Sequence, residues 1–534
     1  METRRVLASI LVTTPLDTVD AADGVVSLRE AISQANQNTD ADIICFDESL
    51  DGVPITLSLT GSGEDANATG DLDLIRGEIT LLGRGITRTI ISGGGDAGIG
   101  DSIFNPRDSA IVSFSGMTIR DGRGINGGGI IVQTSADESV LIKDVLFTGN
   151  QATSYGGALF VSQDSRVQIS RSTFSENKAV RGGGVSSVGK LTIFESTIDN
   201  NVAVIGGGLQ VQDASSNVLV DRTTISNHAD PGIQFGGAAA NINGTLTIVD
   251  STLSGNKASS SGAAIFNAST HASGSAETSV FHATLTNNIS GNSGAVHAQS
   301  EWGATASQIR LFNTILVGND GGLAPDNVTF RSVSGSSGAG VTSLGGNLFD
   351  DNGFGIPIAS DQINVTTLVI DSALSDNGGP TRTHALVMGS PAIDAGIIAD
   401  NDFALGQGGE NRVGLAAVRF LGTAFATDQR GVTRPLGSVD IGAVEWDTPI
   451  VRLNLSGQEW EEGGADEGII TAIATAFDRS DLVATGNLTV DVNIDLVSGT
   501  GVTTADYELS SSTISIPTNS ATGKSVAGSV SFTV

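Results

Sequence analysis

The sequence predicts an all-β protein whose main part is a right-handed parallel β-helix. First, residues 144–319 repeat one unit every 24–32 residues, a period typical of solenoids. Second, apolar and polar residues alternate within each unit, which is rich in Ser, Thr, Gly, Val and Ile, as in strands with one buried face. Third, Pro231 is the only proline between Pro106 and Pro325, and strands that pair on both sides must avoid proline.

Each repeat ends a short strand on Asn and then passes through a Gly-rich step. We expect the apolar column from Phe147 to Ile315 to stack inside the solenoid, the Asn side chains to stack as an amide ladder, and the glycines to supply positive φ or close backbone approach. The structural residues of the repeat are Phe147, Asn150, Gly156, Gly157, Phe174, Asn177, Gly183, Gly184, Asn201, Gly207, Gly208, Asn256 and Asn288.

Residues 1–40 predict an N-terminal cap made of a strand and a helix. The run 6–12 fits a first strand better than a signal peptide. Ser27 and Glu30 form a capping box, in which each side chain satisfies a backbone N–H at the helix start. The amphipathic helix then covers the open strand edges of the solenoid, and Arg29 has a structural role. Cys45, the only cysteine, is expected to be a buried apolar residue.

Residues 41–447 predict the β-helix itself, with clear repeats over 144–319 and a closing region over 320–447. In the irregular first coils, Asp71 and Asp73 alternate with Leu, which favours a half-buried strand over a carboxylate pair. In the closing region, His384 is expected to bond within the cap. Buried ion pairs that fix the last coils are expected among Asp394, Asp428, Arg430, Arg434 and Asp440.

Residues 448–534 have a different pattern. Short alternating strands separated by turns predict an antiparallel β-sandwich. The sequence stops where further strands are expected, so we interpret this sandwich as incomplete.

Several of these segments resemble bacterial surface proteins. The repeats resemble those of polymorphic outer-membrane proteins and of β-helix surface proteins with the pectate-lyase fold. Ser27-Leu28-Arg29-Glu30-Ala31 resembles the segment that opens many of them, and the closing region resembles one found with varied cell-surface anchors. The resemblance implies an extracellular or cell-surface location in a bacterium, with a glycan or a surface protein as partner.

The C-terminal segment resembles the Calx-β domain through Glu461-Glu462-Gly463 and Asp506-Tyr507. In that family the matching positions bind Ca²⁺, which implies Glu461, Glu462 and Asp506 as ligands here. A calcium ion takes six to eight oxygens, and the later acidic ligands of the family lie beyond residue 534. No organic cofactor is implied.

The net charge of the chain argues against nucleic-acid binding. The formal net charge is −31 and the pI is near 4.3, so no basic stripe is available to neutralise nucleic-acid phosphates. No apolar run is long enough to span a membrane. We expect a monomeric solenoid.

Three functions remain open on the sequence, of which a purely structural spacer is the third. The first is a non-catalytic, adhesin-like surface or matrix protein that binds a glycan or a protein along the β-helix. The alternative is a polysaccharide lyase or glycoside hydrolase of the pectate-lyase fold. Glycoside hydrolysis needs paired carboxylates facing one cleft, and the sequence contains no ordered set of this kind, so we favour the first. Three or more carboxylates with an Arg or Lys in one lateral groove would favour the enzyme.

Overall fold

The computed structural model describes most of the chain and divides it into two units. The first unit comprises Met1–Thr366, Ser372–His384 and Asp394–Val444; the second comprises Thr367–Asp371, Ala385–Ile393 and Glu445–Val534. The described residues are 8–61, 66–135, 139–229, 232–270, 274–301, 303–322, 326–333, 335–397, 427–435 and 439–446, with the strands Ile450–Ser456, Ile469–Phe477, Leu488–Asp491, Glu508–Leu509, Thr513–Ile516 and Gly528–Thr533.

The first unit is a right-handed parallel β-helix, which confirms the predicted fold class. Each coil contributes short strands to three parallel sheets, here called sheets 1, 2 and 3. The long strands Leu72–Leu82, Phe104–Arg120 and Ser139–Thr148 bend from one sheet into the next. Strands between the two ends of each sheet therefore pair with their counterparts one coil before and one coil after, so backbone polar groups in these coils are satisfied by neighbours.

The strands of each sheet follow in chain order. Sheet 1 contains Ala8–Val12, Ala41–Phe46, parts of the three long strands, Arg166–Ser170, Lys190–Phe194, Asn217–Asp221, Thr245–Val249, Ala276–Phe281, Ser307–Phe312 and Ala339–Ser343. Sheet 2 contains Pro54–Thr56, Ile90–Ser92, parts of Phe104–Arg120 and Ser139–Thr148, Thr173–Ser175, Thr197–Asp199, Thr224–Ser226, Thr252–Ser254, Thr284–Thr286, Ile315–Val317 and Leu348–Phe349. Sheet 3 contains parts of Leu72–Leu82 and Phe104–Arg120, then Ile130–Thr134, Leu159–Val161, Val185–Ser187, Leu209–Gln212, Ala239–Ile242, Ile265–Ser269, Val296–Ser300 and Val328–Ser332.

Smaller elements complete the first unit. Arg123–Asn126 pairs with Gln151–Tyr155, and Lys257–Ala258 pairs with Ile289–Ser290. Short 3-10 helices lie at Glu48–Leu50, Gly95–Ala97 and Gly353–Gly355.

The core is made of apolar columns in register. Phe147 lies on Phe174 with ring centroids 4.6 Å apart and planes at 5°, and the column continues inward through the following coils of sheet 2. Each fully buried Ile, Leu, Val or Phe contributes about 1.5–3 kcal/mol through burial. At the last repeat the inward residue paired with Leu285 is Leu316, so the predicted position Ile315 is wrong by one residue. Ile315 pairs with Thr284 instead.

The N-terminal helix spans Leu28–Ala35 and packs on the first strands of the solenoid. The Ser27 hydroxyl accepts from the Glu30 backbone N–H at 3.1 Å, and the Glu30 carboxylate accepts from the Ser27 N–H at 2.8 Å. Arg29 is fully buried; its Nε donates to Asp17 at 2.7 Å, and its guanidinium also donates to the carbonyl of Gly70. The arginine thus fixes the helix to an adjacent loop.

Two sequence expectations in the first coils are wrong. Cys45 is partly exposed, because the strand alternation turns its neighbour Ile44 inward. Asp71 and Asp73 are both buried, so the polar positions at the start of the strand Leu72–Leu82 do not face solvent. The Asp73 carboxylate accepts from Asn105 Nδ2 at 3.0 Å, which accounts for a polar side chain in this position.

In the second unit, the described strands pair antiparallel. Ile469–Phe477 pairs with Ile450–Ser456 and with Gly528–Thr533, which also pairs with Glu508–Leu509. Leu488–Asp491 pairs with Thr513–Ile516. Across all described residues, no helix has the length and apolar character needed to cross a membrane.

Candidate functional site

A ladder of loops lies along the edge of sheet 3 and packs against its outer face. We call this ladder the ridge. Its segments pair in parallel from coil to coil, through Tyr155, Arg181, Ile205, Phe235 and Ser261. The ridge comprises residues 123–126, 151–155, 178–181, 202–205, 232–235 and 257–261.

The Gly-rich step joins each ridge segment to its strand in sheet 3. Gly182 has a φ of +64°, which turns the chain back over the sheet at a conformation that L side chains avoid. A Cβ at Gly183 would lie 2.4 Å from the carbonyl oxygen of Gly207 in the next coil. The predicted glycines therefore have distinct roles: Gly156 has positive φ, Gly157, Gly183 and Gly207 allow close stacking, and Gly184 and Gly208 occupy the third position, where other coils have Ala158 and Ala238.

Aromatic rings gather where the ridge meets sheet 3. The ring centroids of Tyr155 and Phe160 are 5.8 Å apart, and those of Phe235 and Phe266 are 4.9 Å apart. Phe266 also stacks on His297, with centroids 6.0 Å apart and planes at 9°. We call these five side chains the aromatic face. They form two groups, Tyr155 with Phe160 and Phe235 with Phe266 and His297, separated by the two coils that have Arg181 and Ile205 at the Tyr155 register. Tyr155, Phe160 and Phe235 are partly exposed.

Basic side chains border the aromatic face. Arg181 Nη1 donates to the Tyr155 hydroxyl at 2.9 Å, and its guanidinium carbon lies 5.5 Å from the centre of that ring. Lys178 and Lys257 are exposed on the same ridge. Among the described residues, none of these three cations lies within ion-pair distance of a carboxylate.

A second cluster lies at the turn between sheets 1 and 2. Residues at one register alternate in charge from coil to coil, and each has positive φ. We call this set, Asp144, Arg171, Glu195, Arg222 and Asp250, the charge column. The ion pairs measure 2.9 Å for Asp144–Arg171 and 3.3 Å for Glu195–Arg222. Asp250 pairs with Arg434 of the closing region at 2.6 Å.

Burial raises the pKa values of two carboxyl groups in or next to this cluster. It raises the pKa of Asp221, next to the charge column, to about 6, against the opposing attraction of Arg222. It raises the pKa of Asp250 to about 8, with Arg434 acting in the opposite direction. Raised carboxyl pKa values occur at catalytic sites and in structural ion-pair networks. Asp250 is fully buried, so it has no surface to offer a polymer, which favours a structural network there.

The closing region packs on the outer face of sheet 2. The Gln429 amide donates to Thr224 and accepts from Thr252, which bridges two coils. His384 Nε2 lies 2.8 Å from Ser254 Oγ, so this histidine reaches the coils rather than only its own cap.

The charged residues that were expected to pair within the closing region bind different partners in the structure. Arg430 pairs with Asp428 at 2.7 Å inside the region. Arg434 pairs with Asp250 of a coil, a partner that sequence reasoning missed. Asp440 accepts a hydrogen bond from the backbone N–H of Asp394 at 2.7 Å.

The stacked Asn side chains form a continuous hydrogen-bonded ladder between sheets 2 and 3. Asn150 Nδ2 donates to Asn177 Oδ1 at 3.1 Å, and Asn177 Nδ2 donates to Asn201 Oδ1 at 3.0 Å. Asn256 donates in the same way to Asn288. Between Asn201 and Asn256 the ladder position is occupied by His228, which the sequence analysis did not identify.

The predicted calcium ligands Glu461, Glu462 and Asp506 lie outside the described residues. Within the part of the chain that the structure covers, no three His, Cys, Asp or Glu side chains group closely enough to hold a metal ion.

Comparison with known proteins supports the fold. Residues 102–293 match the family described as right handed beta helix region. This segment includes the ridge, the charge column and most of the Asn ladder. No curated protein and no solved structure gives a significant match.

Proposed function

We propose that the protein is a non-catalytic, adhesin-like surface or matrix protein that binds a glycan along the outer face of sheet 3. The observation that carries this proposal is the aromatic face. Its rings form two groups separated by two coils, so at about 4.8 Å per coil Tyr155 and Phe235 lie on the order of 14 Å apart along the solenoid. Three of the rings are partly exposed. Aromatic rings with a nearby polar group are suited to sugars, because the apolar side of a pyranose packs on the negative face of a ring.

A glycan suits this face better than a protein partner. The partly exposed rings lie in two small groups, and the coils between them have polar side chains such as Ser186 and Gln210 at the Phe160 register. A stable protein interface needs about 800 Å² on each partner around a buried apolar centre. Small groups of rings separated by polar residues match an extended chain of sugars instead.

Location and calcium binding belong to the same proposal. The resemblance of the repeats and of the closing region to bacterial surface proteins supports export to an extracellular or cell-surface site. Calcium would be bound by the C-terminal domain, with Glu461, Glu462 and Asp506 as proposed ligands. Carboxylate oxygens are the donors that calcium prefers.

A glycan array, probed with and without calcium, tests the proposal. The full chain is expected to bind a defined set of glycans, and Phe160→Ala is expected to weaken that binding about tenfold, since stacking contributes roughly 1 kcal/mol or more. Phe194→Ala is the matched control, because Phe194 is also a partly exposed strand residue but lies on sheet 1 under Arg222. Equal binding by Phe160→Ala and the unchanged chain would refute the assignment of the aromatic face.

The alternative function is a polysaccharide lyase or glycoside hydrolase. One observation favours it: Glu195, Asp221 and Arg222 are partly exposed together, and the pKa of Asp221 is about 6, a value that suits acid–base catalysis near neutral pH. Measured turnover of a polysaccharide that is abolished by Asp221→Asn would establish this alternative. We expect no turnover by the unchanged chain or by Asp221→Asn.

A further inference from the structure

The ridge is basic in an acidic protein. The chain carries 58 acidic against 27 basic residues, yet the described ridge segments between residues 123 and 261 contain no Asp or Glu. Their charged residues are Arg123, Lys178, Arg181 and Lys257. The ladder continues beyond these segments through Ile289–Ser290 to Asp320, which is acidic. Arg123 is neutralised by Asp96 at 2.9 Å, which leaves Lys178, Arg181 and Lys257 without a carboxylate partner among the described residues. Local positive charge of this kind raises the local concentration of anions.

Arg181 connects this charge to the aromatic face. Its guanidinium is held beside the Tyr155 ring by the hydrogen bond to the Tyr155 hydroxyl. That bond takes one N–H donor, and a guanidinium has others in a planar arrangement that matches a carboxylate. Arg181 is also only partly buried, so a ligand lying on Tyr155 and Phe160 can reach it.

Lys178 and Arg181 are the first and last residues of the same ridge segment, residues 178–181. Lys178 is exposed and stacks in parallel between Gln151 and Val202 of the adjacent coils. An ammonium group on a flexible stem serves as a point charge that tolerates several ligand positions. Arg181 is therefore the cation in contact with a ring, and Lys178 adds a second positive group on the same ridge segment.

We infer that the ridge selects an acidic glycan, an extended chain of sugars bearing carboxylates, which Arg181 and Lys178 bind while the sugar rings stack on Tyr155 and Phe160. This inference rests on the proposed function and adds the chemical class of its ligand. A nucleic acid is a poorer match, because affinity for its dense phosphates requires many cations and the chain as a whole is strongly negative.

The test compares one sugar chain in two charge states. The probes are a uronic-acid oligosaccharide and the same oligosaccharide after reduction of its carboxyl groups, titrated calorimetrically into the full chain. We expect the acidic probe to bind at least tenfold more tightly, and Arg181→Gln with Lys178→Gln to remove that preference, since a charge-assisted hydrogen bond contributes about tenfold or more. Arg166→Gln is the control for the loss of an exposed cation elsewhere, because Arg166 is exposed at the start of a sheet 1 strand.

Each outcome is informative. Equal binding of both probes, with Phe160→Ala still weakening both, would overturn the inference and leave the glycan proposal standing. Loss of preference in Arg166→Gln as well would show a bulk charge effect and would also overturn it. Failure of both probes to bind, while other glycans on the array bind through Phe160, would exclude uronic acids. Tight binding of single-stranded DNA that Arg181→Gln and Lys178→Gln abolish would assign the ridge to nucleic acid.

Discussion

At the scale of single residues, His228 is the most informative side chain of the Asn ladder. Asn201 Nδ2 lies 3.3 Å from His228 Nε2, and His228 Nδ1 lies 2.8 Å from Asn256 Oδ1. A neutral imidazole that is protonated on Nδ1 satisfies both contacts, as acceptor from Asn201 and donor to Asn256. A second proton on Nε2 would face the Asn201 donor. Burial lowers the pKa of His228 to about 4, in line with this arrangement.

The first prediction concerns acid sensitivity. Between pH 6.5 and pH 4 the unfolded chain protonates His228 and the folded chain does not, so stability falls as pH falls through this window. The His228 contribution to this loss is about 3 kcal/mol at pH 4. His228→Asn, which continues the amide ladder, is expected to remove it. The measurement is the free energy of unfolding of both proteins at pH 7.5 and at pH 4.

The comparison of the two proteins isolates His228 from the other titrating groups. Asp221 and Asp250 have raised pKa values and act in the opposite direction, but they are present in both proteins. An equal pH dependence in His228→Asn and the unchanged chain would contradict the assigned role.

The second prediction separates two neighbouring glycines. Gly183→Ala would place a Cβ 2.4 Å from the Gly207 carbonyl, so we expect a loss of roughly 3 kcal/mol. Gly184→Ala is the control. Its Cβ would lie 2.9 Å from the Gly208 carbonyl, and Ala158 and Ala238 already occupy this register in other coils, so a loss under about 1.5 kcal/mol is expected. Thermal unfolding of the two variants measures both losses of stability. A larger loss in Gly184→Ala than in Gly183→Ala would contradict the close-stacking role of Gly183.

Residue roles could be predicted from the sequence where they recur in register. Asn150, Asn177 and Asn201 follow the same motif, so their stacking follows from periodicity alone. His228 could not be found this way, because its coil places Asn227 one residue earlier and the ladder position has another residue type. The partner of Arg29 was also missed, since Asp17 lies in a loop without any repeated pattern.

At the scale of elements, the closing region acts as a strap on sheet 2. Gln429 bridges Thr224 and Thr252, and the buried pair of Arg434 and Asp250 lies beside it. Removing Arg434 is costly, because the Asp250 carboxyl would stay buried without its counter-ion and its hydrogen-bond donor. The strap therefore protects the outer face of sheet 2 in the later coils, where Ser254 is buried.

The third prediction tests this strap. Arg434→Gln is expected to cost about 3 kcal/mol and to increase hydrogen exchange in Thr252–Ser254 and in residues 427–435. Arg171→Gln is the control, because Arg171 forms an exposed pair in the same charge column, and such pairs contribute about 0.2–1 kcal/mol. Similar exchange in both variants would show that the strap does not depend on Arg434.

The contacts of this strap could not be derived from the sequence. Arg434 and Asp250 are separated by 184 residues, and Gln429 and Thr224 by 205. Ion pairs were predicted among charged residues of the closing region, yet nothing in the local pattern identifies a coil as the partner of Arg434. The β-helix, in contrast, follows from local periodicity and was predicted correctly.

At the scale of the whole molecule, the outer surfaces of the sheets in the first unit have different roles. Sheet 2 is covered by the closing region in its later coils, while sheet 3 presents the aromatic face and the basic ridge. The sequence did not predict this face, because Tyr155 and Phe160 lie on opposite sides of a Gly-rich step and meet only when the chain turns back. The surface clusters of this solenoid thus depend on how its turns place side chains, while its buried core depends on the repeat period of the sequence.

The measurement that tests the proposed glycan-binding surface most directly is hydroxyl-radical footprinting of the full chain with and without a saturating uronic-acid oligosaccharide. We predict protection of Tyr155, Phe160 and Phe235 on the ridge side of sheet 3, with Phe194 on sheet 1 unchanged. Protection of Phe194 with no change at Tyr155 and Phe160 would contradict the account, because the ligand would then lie at the charge column.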